Sequence, residues 1–273
     1  MRTTKLALAG LACACACLSQ VTLASAAPTA ELGRCLPVEG VKEGKKTVHH
    51  GAYANKQCTK PSATKSGKFE WNPGPGAAKA LEAISVGTIV FETASGRKIE
   101  CTKWQTFGEY TGVKSEKLKW DFSGCKDNAL QKPCQSLIAE GGKAPEGVIE
   151  SQQLIAELGA VAGTKPAAGW DTKPETGSVV ASFECGATLT GTKVLLEGSV
   201  IGALKPTGKM TEEVRQQFKA SKGVQMPEHF EGGAADVLGA KFIAGLEVTT
   251  EPIGLTGIEE VTSEEPLEYR ITG

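Results

Sequence analysis

Lys117-Leu-Lys-Trp-Asp-Phe122 alternates without a break: Leu118, Trp120 and Phe122 fall on one face, Lys117, Lys119 and Asp121 on the other. Successive side chains of a strand point to opposite faces, so this period of two marks a half-buried β-strand. The reading extends outward from there. Residues 88–93 and 97–101 flank Ala94-Ser95-Gly96 and predict a hairpin around a Gly-containing turn. Residues 106–112 predict another short strand, and further strands are expected at 147–158, 177–185, 192–201, 240–250 and 266–272. Residues 77–85 are ambiguous between helix and strand. Met210, Val214 and Phe218 recur every four residues, as on a helix, while Val214, Phe218 and Ala220 also fit alternation with Gln216 the misfit. The surrounding strands favour a strand there. Gly, Thr, Ser and Pro punctuate the chain about every ten residues, so the expected fold is all-β and mainly antiparallel, a β-sandwich or β-barrel.

The N-terminus reads as an export signal. Met1-Arg-Thr-Thr-Lys5 carries two positive charges, residues 6–18 are apolar, and Ala24-Ser25-Ala26 is a small-x-small cleavage signature. Residues 1–26 are therefore expected to be a cleaved signal peptide and the product secreted and extracellular. A lipid anchor on Cys13, Cys15 or Cys17, holding the protein at the cell surface, is the alternative. It fits less well, because Gly10, Ala12 and Ala14 stand where a lipoprotein signal places Leu. No later run of 18 apolar residues predicts a transmembrane segment.

Cleavage leaves 247 residues, room for one large all-β domain or two small ones. It also removes Arg2 and Lys5, leaving 28 basic against 31 acidic residues, a net of −3. The ends differ. Residues 27–79 carry nine Lys and Arg against four Glu, about +5, and residues 228–273 carry ten Asp and Glu against two Lys and Arg, about −8. These charges solvate the two ends or attract one another; alternatively, the basic part meets an anionic wall polymer or surface.

Six of the nine cysteines remain after cleavage, an even set that reads as a disulfide framework in an oxidising compartment. Residues 27–76 form a small N-terminal segment braced by Cys35–Cys58 and closed by Asn72-Pro-Gly-Pro-Gly76; residues 77–273 form the main β-rich domain. Of the 15 possible pairings, Cys125–Cys134 is expected as a local staple and Cys101–Cys185, by elimination, as a tie between distant strands.

Catalytic signatures are sparse. The chain has neither a Gly-x-Ser-x-Gly elbow nor His-Glu-x-x-His. Gly74-Pro-Gly-Ala-Ala-Lys79 lacks the third Gly of a dinucleotide fingerprint. Gly202 to Gly208-Lys209 is one residue too long for a phosphate loop and has Met210 in place of Ser or Thr. No cofactor is expected. His49 and His50 would point to opposite faces of a strand but meet one metal from a loop, and His229 reads as a turn residue. If Cys101 pairs with Cys185, Glu100 and Glu184 face each other as a glycosidase-like pair. Trp71, beside a turn, and Trp104, beside Lys103, are candidate ligand contacts, whereas alternation places Trp120 in the core. Nucleic acid is not an expected partner, since Arg is scarce and no strong basic face is evident.

Gly33-Arg-Cys35, Gly51-Ala-Tyr53 before Cys58, Phe69-Glu-Trp-Asn-Pro-Gly-Pro75, Cys101-Thr, Gly108-Glu-Tyr-Thr-Gly112, Phe122-Ser-Gly-Cys125 with Pro133-Cys134, Ser199-Val-Ile-Gly202 and Phe230-Glu-Gly-Gly233 follow one another in order. In this order the chain resembles a family of secreted, cysteine-containing proteins of high-GC soil actinobacteria. The resemblance covers most of the mature chain and implies export and a common β-rich fold; it implies no activity and no catalytic residues.

The sequence thus reads as a monomeric, secreted, disulfide-stabilised β-protein with a non-enzymatic binding or structural role, its partner a cell-wall or extracellular polymer. A secreted hydrolase of polysaccharide or ester is the alternative. An inhibitor of secreted proteases, presenting the loop at 125–134, is the third.

Overall fold

The computed structural model describes residues 29–77, 79–137, 142–161, 167–186 and 191–272. The expected signal peptide and the alternative lipid-anchor cysteines lie outside these residues. About two thirds of the chain is strand, and the described residues contain no helix.

Four strands open the chain: β1 (Thr29–Pro37), β2 (Val41–Glu43), β3 (Lys46–Val48) and β4 (Phe69–Pro73). Eight passes follow. The first is β5 (Ala80–Ser85) with β6 (Ile89–Thr93), the second β7 (Lys98–Cys101) with β8 (Lys103–Tyr110), and the third β9 (Ser115–Ser123) with β10 (Lys126–Asp127). The fourth comprises β11 (Lys132–Ser136), β12 (Ile149–Glu150) and β13 (Leu154–Val161). The fifth is β14 (Ala167–Pro174) with β15 (Val179–Cys185), and the sixth β16 (Thr192–Gly198) with β17 (Val200–Lys205). The seventh runs through β18 (Thr211–Phe218), β19 (Ala220–Ser221), β20 (Val224–Gln225) and β21 (Leu238–Ala244), and the eighth is the single long β22 (Glu247–Thr272).

Every pass pairs antiparallel with the next in sequence. The eighth then returns to the first, through Glu259–Thr262 against residues 82–85 and Ile253–Thr256 against residues 90–93. This closure makes the fold an up-and-down barrel and excludes a sandwich, because no edge is left between the first and last passes. Strands β5, β8, β9, β13, β14, β17, β18 and the middle of β22 form the eight-stranded barrel. The remaining parts of the passes pair outside it in the same cyclic order. The two sets meet at bends, two of them glycines with positive φ: a Cβ on Gly124 would lie 2.2 Å from Thr102 Oγ1, and one on Gly198 2.0 Å from the Val237 carbonyl oxygen.

Alternation sets what fills the barrel. Leu118, Trp120 and Phe122 of β9 are buried, while Lys117, Lys119 and Asp121 lie outward. The Trp104 ring is buried inside it, 5.2 Å from Trp120, 5.1 Å from Phe122 and 5.0 Å from Phe218. An apolar interior under a charged exterior is the reverse of a lipid-facing barrel. The two ambiguous segments are both strands, β5 and β18. Gln216, the misfit in 210–220, points inward with Val214 and Phe218, its amide lying over Gly202, where a Cβ would come within 2.3 Å. An inward polar residue had hidden the alternation.

The disulfides correct part of the expected framework. Cys35 joins Cys58 as expected, but Cys101 joins Cys125 and Cys134 joins Cys185, in place of Cys101–Cys185 and Cys125–Cys134. The reason lies in register. Cys134 is directly opposite Cys185, the Cys134 amide donates to the Cys125 carbonyl, and Lys126 pairs with both Glu100 and Pro133. The four cysteines therefore form one row across β7, the residue before β10, β11 and β15, all buried. Its ends are three strand spacings apart, about 14 Å, beyond any Cys101–Cys185 bond. The bonded outer couples bring their Cα atoms to 3.9 and 4.0 Å.

Candidate functional site

The N-terminal unit is built on β1 and β4, paired from Gly33 opposite Pro73 to Pro37 opposite Phe69, with the Cys35–Cys58 bridge tying the loop between them back to β1. Asn55 organises that loop: its Oδ1 accepts from the Thr59 and Lys60 amides and its Nδ2 donates to Gln57 and Thr59. Lys42, Lys45, Lys46, Lys56, Lys60, Lys65 and Lys68 are all exposed, and among the described residues none of their ammonium groups has an ion-pair or hydrogen-bond partner.

The unit is fixed to the barrel by a second set of charges. Residues 29–33 of β1 pair with 268–272 of β22, so the basic and acidic ends of the chain meet. Arg34 pairs with Glu265 at 3.2 Å. The Arg270 guanidinium lies 4.5 Å from the Trp71 ring centre, donates to Glu268 at 2.7 Å and reaches Tyr53 Oη, while Trp71 Nε1 donates to Glu268 Oε2. A cleft of about 490 Å³ lies at this junction, lined by Arg34, Leu36, Lys56, Gln57, Met210 and Glu265 among others.

The residues singled out in the sequence are dispersed. Trp104 is completely buried, so its candidacy as a ligand contact is corrected: β8 alternates it into the barrel, and neighbouring Lys103 takes the outer face. Trp71 is half-buried and committed to Glu268 and Arg270. Glu100 and Glu184 do not face each other, because β10 and β11 lie between their strands; Glu184 instead pairs with Lys143 and Gln135. His49 Nδ1 donates to the Val38 carbonyl, His50 faces Glu43 at 3.6 Å, and His229 Nδ1 donates to Gly233. No group of three or more metal-ligating His, Cys, Asp or Glu side chains comes together among the described residues. The 125–134 loop is not closed by its own disulfide; Asp127 Oδ1 holds its tip by accepting from the Ala129 and Leu130 amides.

The sequence reading passed over two acids inside the barrel. Glu116 and Glu259 are 3 % and 1 % exposed, and no Lys, Arg or His is buried among the described residues. Burial pushes both carboxyls up, Glu259 to about 8, and for Glu116 the neighbouring Glu259 adds to the rise. The signal was present: Glu116 is in phase with Leu118, Trp120 and Phe122, and Glu259 with Leu255 and Val261. Outside the barrel wall Asp171 is also raised, to about 6, by burial and then by Asp236, against the lowering influence of Lys173.

No known protein-family model, no curated protein and no solved structure matches this chain. No helix among the described residues is long and apolar enough to cross a membrane.

Proposed function

We propose that this chain is a secreted, non-enzymatic binding protein whose lysine-rich N-terminal unit holds an anionic extracellular or cell-wall polymer. The observation that carries the reading is the set of seven exposed, unpartnered lysines on a unit stiffened by Cys35–Cys58 and docked on the barrel. Such charges sum into a field that attracts a polyanion at long range, and compact ammonium groups suit diffuse contact better than the planar recognition for which arginine is suited. Three disulfides and the export-like N-terminus agree with an extracellular site of action. The resemblance to secreted actinobacterial proteins belongs to the same reading, as does a monomeric state.

The test is retention of residues 27–273 on immobilised carboxylated or phosphorylated polysaccharide, with soluble sugar followed in parallel. Saturable retention is expected, weakening as ionic strength shortens the screening length from about 10 Å at 0.1 M to about 3 Å at 1 M. Replacing Lys42, Lys45 and Lys46 together by Glu should reduce it at least tenfold. Retention indifferent to these changes overturns the reading, and saturable release of soluble sugar by the purified chain replaces it with the hydrolase.

A further inference from the structure

One mouth of the barrel is roofed over a cluster of acids. Glu116 of β9 lies opposite Tyr110 of β8 on one side and Ala156 of β13 on the other, with Thr172 of β14 beyond Ala156. Glu259 of β22 accepts a hydrogen bond from Thr106 of β8 and lies opposite Gln216 of β18. Tyr269, from the part of β22 that has left the barrel, shares a 2.8 Å hydrogen bond with Tyr110, and both rings lie within 6.4 Å of Trp170. Leu32 of β1 is opposite Tyr269 and fully buried; its amide donates to the Val113 carbonyl and its carbonyl accepts from Gly74. Glu116 Oε2 and Thr172 Oγ1 are buried without a partner. The ionisable groups in this cluster are Glu116, Glu259, Tyr110 and Tyr269; the groups beside them, from β8, β13, β14 and β18, are Thr106, Ala156, Trp170, Thr172 and Gln216, none of them cationic.

We propose that β1 and the last residues of β22 form a proton-linked cap on this mouth, held shut while Glu116 and Glu259 carry protons and opening more often as they lose them. An ionised carboxylate in the closed interior is cut off from bulk water and, among the described residues, has no buried cation beside it. Opening supplies water. The closed form thus holds protons that the open form releases: closure is strongest below about pH 4.5, the ordinary glutamate value, and weakens up to about pH 8, where Glu259 titrates in the closed form. The cap is the element to yield. Among the described residues β1 pairs only with β4 and the tail of β22, whereas each barrel strand is held on both sides by barrel neighbours.

Amide hydrogen exchange, corrected for its intrinsic pH dependence, tests this on the full mature chain at pH 5 and pH 8. Protection of β1 should fall at least tenfold across this range and at pH 8 should lie at least tenfold below that of β16. In the Glu116→Gln/Glu259→Gln variant β1 protection should be flat with pH. If the double variant fails to fold, Glu259→Gln alone and the contrast of β1 with β16 in the unaltered protein remain readable. Protection of β1 that does not change with pH overturns the proposal. So does protection equal to that of β16 at both pH values, since only global unfolding would then expose the acids, and so does an unchanged pH dependence in the variants.

Discussion

Asp127 shows how this core accommodates a charge. Its side chain is completely buried, yet Oδ2 accepts from Arg97 Nε and Nη2, and Oδ1 accepts from two backbone amides. Arg97 in turn lies 4.4 Å over the Phe242 ring. Arg97→Met would keep much of that apolar contact and leave the carboxylate buried with no cation, so it should cost about 3–5 kcal/mol, measured by urea unfolding. Trp104→Ala should cost a similar amount, about 3–5 kcal/mol, through lost burial and the cavity left behind. The Arg97–Asp127 pairing was not legible in the sequence, because Asp127 comes opposite Ile99 only through the register in which β10 pairs with β7. Trp104 was misplaced for a different reason: its position beside Lys103 suggested exposure, but adjacent strand residues occupy opposite faces.

At the scale of elements, the row of four cysteines is the sharpest structural statement. Non-reducing peptide mapping should recover Cys101 linked to Cys125 and Cys134 linked to Cys185; recovery of a Cys125–Cys134 peptide would show that the row pairs differently. By chain-entropy reasoning the two bridges, spanning 24 and 51 residues, contribute about 3 and about 4 kcal/mol. Replacing Cys134 and Cys185 together by Ser should therefore lower stability by about 2–5 kcal/mol and leave the N-terminal bridge intact. Strand β9 was fully legible, since six alternating residues admit one reading. Strand β18 was only half legible, since Gln216 breaks the apolar period without leaving the inner face. Cys35–Cys58 was legible, but the pairing within the row of four was not: Cys125 and Cys134 are near in sequence and adjacent in the sheet, yet each bonds to its other neighbour.

For the whole molecule, the buried acids set how stability responds to pH. Glu259 and Asp171 have raised values in the folded protein, about 8 and about 6. Each therefore stabilises the fold fully below its ordinary value, and this contribution is lost as pH rises toward the folded value. Thermal stability should fall between about pH 4.5 and 8, with a slope of at most about 1.4 kcal/mol per pH unit for each group in its window. Glu259→Gln should flatten the upper part of that curve. Stability that rises through this range would mean that the barrel interior does not keep its acids neutral. Docking of the N-terminal unit belongs to this scale too, because Arg34 and Trp71 find Glu265 and Glu268 in the last nine residues of the chain, and Arg270 reaches back to Tyr53 and Trp71.

Local rules alone determined the class of this protein. Alternation and turn residues, which depend on neighbours within about ten residues, specify antiparallel strands, and an even set of cysteines adds that disulfides brace them. The tertiary structure decided everything that depends on closure. It made a barrel of eight passes by returning β22 to β5 and β6, placed four cysteines in one row, separated Glu100 from Glu184 and enclosed Glu116 and Glu259. Strand period tells which residues share a face, but only the closing register tells which faces meet.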